Sequence, residues 1–165
     1  MELSFKWNRL ASFTALEMYE VIQAREAVFV VEQRCAYQEA DGADPHCWHL
    51  CARLDGAFAA YARVVEPGIH YAEPSIGRVM TLEKYRQLKL GRALVAEAIA
   101  FTEARFAGRG IRIGAQAHLQ HFYGSLGFAP VGEVYDDAGI PHIEMVKAPV
   151  VRAAADLPHT PHWLP

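Results

Sequence analysis

The sequence predicts one α/β domain in which a mixed β-sheet carries helices on its faces. The chain has 165 residues, of which 52% are hydrophobic and 21% are charged, as in a single globular domain with a substantial core. Short segments of alternating apolar and polar residues are separated by longer segments in which apolar residues follow helical spacing. The resulting order is strand, helix, hairpin, strand, helix, strand, helix and two strands, which favours helices packed against a sheet.

The first predicted elements are a strand, a helix and a loop. Leu3–Trp7 alternates apolar and polar residues, as a short strand does. Either Ser12 or Thr14 can cap a helix that runs to about Val31, because apolar residues recur near one face of that segment. Residues 33–46 are polar and contain glycine and proline, which predicts an irregular loop.

A β-hairpin is the clearest local signal in the chain. Asp55 and Gly56 separate two apolar runs, residues 46–54 and 57–65. An Asp-Gly pair between such runs favours a tight primed turn. After a loop, residues 76–82 are predicted to form the next strand.

The C-terminal part is predicted to alternate helices and strands. Apolar residues at helical spacing predict a helix from Leu90 to about Phe106, which Gly108 and Gly110 end. The remaining predicted elements are a strand, a short helix and two strands around a DDAG turn, at residues 111–117, 119–126, 128–135 and 140–147.

We expect the single domain to span residues 1–148. Residues 149–165 are rich in proline and show no clear period. They are predicted to form a tail that either straps onto the surface or is disordered.

Charge and cysteine content narrow the classes of function. The net charge is −3, which argues against a protein that holds nucleic acid by electrostatic attraction. The 3 cysteines form no CxxC pair, and their odd number favours a reducing compartment over a disulfide framework. The N-terminus lacks the apolar stretch of a signal peptide, and no apolar run is long enough to span a bilayer. We therefore expect a soluble cytoplasmic protein with no nucleic-acid or membrane partner, and the sequence leaves a homodimer open.

Residues 85–94, YRQLKLGRAL, place cations at the start of a helix. Arg86, Lys89 and Arg92 surround Gly91 at this point. A helix start presents unpaired backbone N–H groups and the positive end of the helix dipole, so it attracts anions. The cluster predicts a phosphate-bearing ligand; for this loop alone, surface cations at a solvated helix start are the alternative.

Together with its neighbours, this segment resembles the GNAT superfamily of N-acetyltransferases. RVMTLEKYRQLKLGRAL is similar to the strand, loop and helix of the superfamily motif, with Arg86 and Gly91 in its first and last positions and Lys89 replacing the first glycine. HLQHFYGSLGF resembles the tyrosine-bearing helix that ends in Gly-Phe. AVFVVEQRCAYQEADGAD, IGRV, GAQAHLQHFY and GIPHIEM are similar to the ElaA-type subfamily. The resemblance covers about residues 5–148 and implies a mostly antiparallel sheet of six to seven strands, flanked by helices and splayed at its central strands.

The resemblance also implies acetyl-coenzyme A as cosubstrate and no metal ion. Backbone groups of the strand before the loop would line the pantetheine arm, and the loop would hold the pyrophosphate. Glycine serves where the backbone approaches phosphate closely or takes a positive φ, so Lys89 predicts allowed backbone angles at its position and could add a charge contact. Gln116 stands where many relatives carry a cofactor-binding asparagine, with an ordinary strand-end residue as the alternative. The implied cofactor-binding residues are Val79, Met80, Thr81, Arg86, Gln87, Leu88, Lys89, Leu90, Gly91, Arg92 and Gln116.

Four residues are candidates for catalysis. Tyr123 matches the general acid of the superfamily, and a phenol suits this role because it stays protonated at neutral pH; a core tyrosine is the alternative. His118 and His142 are candidates for the general base, although lone histidines often have structural roles. Glu32 could accept a proton through a water molecule, with a surface carboxylate as the alternative.

The acceptor side is expected to hold charged residues. The acidic loop with Glu39, Asp41 and Asp44, near His46 and His49, could form a wall that attracts a cationic amine, or it could be a solvated turn. A metal site with His46 is a further alternative, but the spacing matches no strong metal motif. Arg63 and Arg78, on adjacent predicted strands, could orient a carboxylate of the acceptor or form structural salt bridges.

These residues lead to two hypotheses of function. The first is an N-acetyltransferase that moves an acetyl group from acetyl-coenzyme A to a primary amine of a small molecule or peptide, by direct transfer in a ternary complex. The second is a non-catalytic coenzyme A-binding sensor or partner protein. A dinucleotide-binding domain is disfavoured because no GxGxxG follows an N-terminal strand.

Overall fold

The computed structural model describes residues 1–151, which form seven β-strands and three α-helices. Of the tail predicted at residues 149–165, residues 152–165 lie outside the described residues. The strands are β1 (Leu3–Arg9), β2 (Cys47–Leu54), β3 (Ala57–Val65), β4 (Ser75–Thr81), β5 (Ile111–Gln116), β6 (Ala129–Asp137) and β7 (Ile140–Lys147). The helices are α1 (Ala15–Arg25), α2 (Leu90–Arg105) and α3 (Gln120–Gly124). None of the helices within this part of the chain is long and apolar enough to cross a membrane.

The strands form two antiparallel sheets that meet at one point. One sheet has the order β1-β2-β3-β4 and the other has the order β5-β7-β6. At the start of β5, the Arg112 N–H donates to the Pro74 carbonyl just before β4 at 3.1 Å. Beyond that bond, the described strands β4 and β5 are not paired with each other. The predicted sheet of mostly antiparallel strands, splayed at its centre, is therefore confirmed.

Helix α2 covers the junction of the two sheets and forms the main core. Its residues Leu94, Val95 and Ala98 have no exposed surface. They pack with apolar side chains from both sheets, among them Leu50, Ala62, Val64, Ile111, Ile113, Ile143 and Met145. Burial of this surface fixes α2, and with it the loop before α2, against both sheets.

The N-terminal helical segment changes its geometry partway along. Thr14 is the cap of α1, because its hydroxyl accepts from the Glu17 N–H at 3.2 Å and the Glu17 carboxylate accepts from the Thr14 N–H at 2.9 Å. The predicted single helix to about Val31 consists of α1 followed by a π-helical segment, Glu26–Glu32. Segments of this kind are rare and often mark functional sites.

Both hairpin turns have the expected backbone. Asp55 and Gly56 have φ of 49° and 81°, as a primed turn requires. Ala138 and Gly139 have φ of 50° and 83° at the turn between β6 and β7. The predicted hairpins are therefore confirmed, and the second one is longer than predicted because β6 extends to Asp137.

Two non-glycine residues near the junction of the sheets take left-handed conformations. Tyr61 of β3 pairs with Met80 of β4, and Arg63 of β3 pairs with Gly77 of β4. One residue lies between these pairs on β3 and two lie between them on β4, so β4 bulges at Arg78, which has φ 50°. Lys89 has φ 55° and ψ 36° where a short 3₁₀ segment, Glu83–Leu88, meets α2. The angles of Lys89 are allowed, as predicted, but they lie in the region where glycine is the usual residue.

Candidate active site

A cleft of ≈ 890 Å³ opens where β4 and β5 separate. The π-helical segment, the loop after it and the turn between β6 and β7 complete its walls. The predicted site residues that line the cleft are Glu32, Asp41, Arg63, Arg78, Val79, Met80, Thr81, Arg86, Gln116, His118, Tyr123 and His142. Most of the residues predicted from the sequence therefore surround one cavity.

The start of α2 lies next to this cleft and has no cap. Lys89, at the N-cap, makes no side-chain capping bond, and the first turn contains no acidic residue. Gly91 has no positive φ, and a Cβ added to it would meet nothing within 4 Å. Neither backbone strain nor protein packing explains this glycine, whereas a ligand close to the backbone would. The residues present fit a phosphate group, because the first amides of a helix are free to donate.

The predicted cofactor residues of the loop differ in what they can offer. Arg86, Gln87, Leu88, Lys89 and Arg92 are exposed. Leu90 is buried in a cluster with Leu54 and Ala59, so it can contribute only its backbone.

Arg86 joins the loop to the opposite wall of the cleft. Its Nη2 donates to Glu32 Oε2 at 2.5 Å, and its Nε donates to the Thr81 carbonyl at 3.1 Å. The bond between Arg86 and Glu32 joins a residue predicted to bind phosphate to a residue predicted to act as a base.

Tyr123 places a neutral hydroxyl in the cleft. The residue is 7% exposed, and its ring packs edge-on against Phe122 and Phe128. Burial raises the pKa of its hydroxyl to about 12. The phenol is therefore protonated at neutral pH and can donate a hydrogen bond or a proton.

The two candidate histidines differ in how they are held. His142 Nδ1 lies 2.8 Å from the Ile140 carbonyl, and since a carbonyl only accepts, Nδ1 carries a proton; in the neutral ring Nε2 then has the lone pair. His118 is exposed on the cleft wall and has no hydrogen bond among residues 1–151. Gln116 lies opposite His142 in the β5–β7 register, and its amide donates to Gln33 at 3.4 Å. The geometry thus orients His142 but not His118.

A network of ion pairs lies behind the wall of the cleft that contains Asp41, Arg63 and Arg78. Arg25 has no exposed surface and bonds Asp44 at 2.8 Å and Glu39 at 2.9 Å. Arg63 is 1% exposed and bonds Asp41 at 2.5 Å and Asp44 at 3.0 Å. Arg78 bonds Glu39 at 2.6 Å. The network therefore contains three guanidinium groups and three carboxylates, so its formal charges balance.

This network corrects the predicted acceptor wall. Asp44 is 7% exposed and is not among the residues that line the cleft, so the structure places it behind the wall that was predicted to contain it. Asp41 does line the cleft, but Arg63 and Arg78 pair with it. For both arginines, the structure shows the structural salt bridges that were the alternative in the sequence. Burial alone would raise the pKa of Asp41, but the hydrogen bonds and charge of Arg63 outweigh burial and lower it.

The sequence analysis missed four residues of this region. Arg25 follows Val21 by four positions and precedes Val28 by three, so all three residues lie on one face of the helix, which is buried. A cation among apolar residues on that face was the signal in the sequence for a buried ion pair. Tyr71, Tyr135 and Asp137 also line the cleft. Their positions follow from strand register and loop packing, so the linear sequence carried no comparable signal for them.

Comparisons with known proteins agree with this geometry. Residues 14–149 match the family described as acetyltransferase (GNAT) domain. The chain is 43% identical to the UPF0039 protein sll0451 of Synechocystis, over 88% of this chain and 96% of that protein. It is 38% identical to protein ElaA of Escherichia coli, over 86% of this chain and 95% of that protein. An acyl-CoA N-acyltransferase crystal structure from Pseudomonas aeruginosa superposes with a TM-score of 0.83 at 41% identity, covering 89% of this chain and 100% of that one. These matches confirm the resemblance predicted from the sequence.

The ion-pair network makes a prediction for stability. Arg25→Met should lower the free energy of unfolding at pH 7 by about 3–5 kcal/mol, because Glu39 and Asp44 would stay buried with one cation fewer. Arg53→Met, which removes a half-exposed pair with Glu20, is the matched control and should cost about 1 kcal/mol or less. Urea denaturation of the three proteins measures both effects.

The same measurement should depend on pH. The pKa of Asp44 would be raised by burial, but the hydrogen bond and charge of Arg25 lower it overall. A lowered carboxyl pKa stabilises the fold above the unfolded value of about 4, and this contribution is lost as the pH falls towards the folded value. The difference between wild type and Arg25→Met should therefore narrow below about pH 4. An Arg25→Met protein as stable as the Arg53→Met control would contradict the role of the network.

Proposed function

Because the chain belongs to the GNAT acetyltransferase family, we propose that it transfers an acetyl group from acetyl-coenzyme A to a primary amine, directly and in a ternary complex. The observation that carries the proposal is that Tyr123, whose hydroxyl is neutral, lines the cleft. The uncapped start of α2 lies beside the same cleft. One feature can hold a pyrophosphate and the other can protonate a leaving group. The three cysteines are free thiols, and we place the activity in the cytoplasm.

The cosubstrate would be held by two parts of the chain. The first amides of α2, with Lys89 and Arg86 beside them, suit the phosphates. The bulged strand β4 offers backbone groups of Val79, Met80 and Thr81 to the pantetheine arm, because β5 does not pair with them. Acetyl-coenzyme A supplies the acetyl group as a thioester.

The proton transfers are assigned to two side chains that line the cleft. Nε2 of His142 is suited to take the proton from the amine, since its Nδ1 proton is fixed on the Ile140 carbonyl. Tyr123 is suited to protonate the departing sulfur. Among the three candidate bases, His142 is favoured because Glu32 is ion-paired and His118 is not oriented.

The alternative is a protein that binds coenzyme A without turnover. Release of free thiol from acetyl-coenzyme A in the presence of a panel of primary amines distinguishes the two. An enzyme would release thiol in proportion to acetylated amine, whereas a sensor would bind acetyl-coenzyme A and release none.

Tyr123→Phe should reduce kcat by about 10²–10⁴-fold while leaving the affinity for acetyl-coenzyme A nearly unchanged. The ring keeps its packing against Phe128, and only the proton donor is lost. Stopped-flow thiol release measures kcat, and calorimetry measures affinity. Wild-type turnover in this variant, under conditions where chemistry limits the rate, would return Tyr123 to a packing role.

His142→Gln should also lower kcat by about 10²-fold, because glutamine can keep the contact to Ile140 but cannot accept a proton. Added imidazole should restore part of the rate. The matched control is His118→Gln, which should retain most of the activity. If His118→Gln is the slower variant, the base has been assigned to the wrong histidine.

Lys89→Gly combined with Arg86→Gln should weaken coenzyme A binding by about 10-fold or more and reduce its salt dependence. Glycine preserves the left-handed backbone at Lys89, so the loss reports on charge and not on loop shape. Lys84→Ala, in the same loop, is the control and should bind normally. Equal affinity of all three proteins would refute the phosphate site at the start of α2.

A further inference from the structure

One face of the sheet β5-β7-β6 is polar and turned to the cleft. In the register, Gly114 lies opposite Glu144, and His142 lies opposite both Gln116 and Tyr135. Because side chains alternate along a strand, these residues share one face. The other face is buried in the core and carries Ile111, Ile113, Ala115, Ile143 and Met145.

Gly114 makes room on this face for two phenol groups. A Cβ added to Gly114 would lie 2.8 Å from the Tyr135 hydroxyl and 3.5 Å from the Tyr71 hydroxyl. Gly114 has no positive φ, so its backbone does not require glycine. The missing side chain therefore allows Tyr71, from the loop between β3 and β4, and Tyr135, from β6, to converge over the floor of the cleft.

Among the described residues, the charges of this corner leave one carboxylate without an ion-pair partner. Arg112 lies over the Tyr71 ring, 5.8 Å from its centroid, and is paired with Glu73 and Glu144. Of the carboxylates that line the cleft, Glu32 and Asp41 are paired with arginines, whereas Asp137 has no ion-pair partner among residues 1–151. Asp137 follows Tyr135 by two positions in β6, so both lie on the same face. Burial, followed by the negative charge of Glu144, raises the pKa of the Tyr71 hydroxyl to about 12, so this phenol stays neutral.

We propose that Tyr71, Tyr135 and Asp137 bind the acceptor as an ammonium ion. This proposal rests on the proposed function and gives its acceptor a charge and a location. Two neutral hydroxyl oxygens can accept from an ammonium group, and the unpaired carboxylate supplies the opposite charge. A carboxylate-bearing group of the acceptor would find less support here, because Arg63 and Arg78 are each already paired with two carboxylates.

The site also lies next to the proposed base. The rings of Tyr135 and His142 are 5.9 Å apart between centroids. An ammonium ion that forms an amide gives up two protons: one leaves through His142 Nε2 to solvent, and the other ends on the sulfur through Tyr123. The C–N bond forms as the C–S bond breaks, so the products are the amide, the free thiol and one released proton.

The test compares benzylamine, which is a cation at neutral pH, with aniline, which is uncharged. Asp137→Asn should raise the KM for benzylamine about 10-fold or more and leave the KM values for aniline and acetyl-coenzyme A unchanged. Tyr135→Phe should raise the benzylamine KM by a smaller factor. Asp136→Asn is the matched control, since Asp136 lies opposite Pro141 in the register, on the other face of β6, and should behave like wild type.

A direct binding measurement separates this proposal from the proposed function. Benzylamine binding to the full chain, measured by calorimetry without acetyl-coenzyme A, should weaken in Asp137→Asn and not in Asp136→Asn. If wild type binds benzylamine in this Asp137-dependent way but never acetylates it, the ammonium site stands and the transferase function fails. If wild type turns over benzylamine with a KM that Asp137→Asn leaves unchanged, or if wild type neither binds nor acetylates it, the ammonium site is overturned.

Discussion

The separation of β4 from β5 is the constraint on which the rest of the molecule depends. A backbone hydrogen bond between Arg112 and Pro74 ties the starts of the two strands, and the strands are unpaired beyond it. Backbone groups on a strand need partners, so an edge that opens inside a domain is stable only where water or a ligand can replace the neighbouring strand. The core under α2 holds the two sheets together below this opening. The cleft is therefore a consequence of how the sheets join, and the side chains around it are arranged on a preformed gap.

The strained positions near the cleft are held by their surroundings. Arg78 has a left-handed backbone, and its guanidinium bonds Glu39 while it stacks between the rings of Phe29 and Tyr37. Left-handed geometry costs an ordinary residue about 1–2 kcal/mol, and these contacts can offset that cost. Glu39 in turn bonds the buried Arg25. The ion-pair network thus links α1, the acidic loop and the bulge of β4 in one assembly, and its charges serve the fold more than the substrate.

The start of α2 and the floor of the cleft differ in electrostatic character. The start of α2 offers unpaired amides and exposed cations, whereas the floor near Gly114 offers neutral hydroxyls and an unpaired carboxylate. Tyr123 and His142 line the same cleft. Such an arrangement suits a reaction that joins an anionic cosubstrate to a cationic acceptor, since the charge of each feature disfavours the ligand of the other.

The sequence by itself determined the order of the main strands and helices, the hairpin turns and the family. Alternating and helical spacing of apolar residues located the strands and helices, because an element that is buried on one face has apolar residues at a regular interval. Asp55-Gly56 predicted its turn because only the local backbone conformation of these two residues is involved. Only the tertiary structure decided which charges are free. From the sequence, Asp41 and Asp44 were predicted to attract a cationic ligand. In the fold, Arg63 forms ion pairs with both carboxylates and Arg25 forms an ion pair with Asp44. Asp137 and the two tyrosines over Gly114 come to the same region of the cleft only through tertiary structure, because pairing and packing between distant segments set which side chains meet.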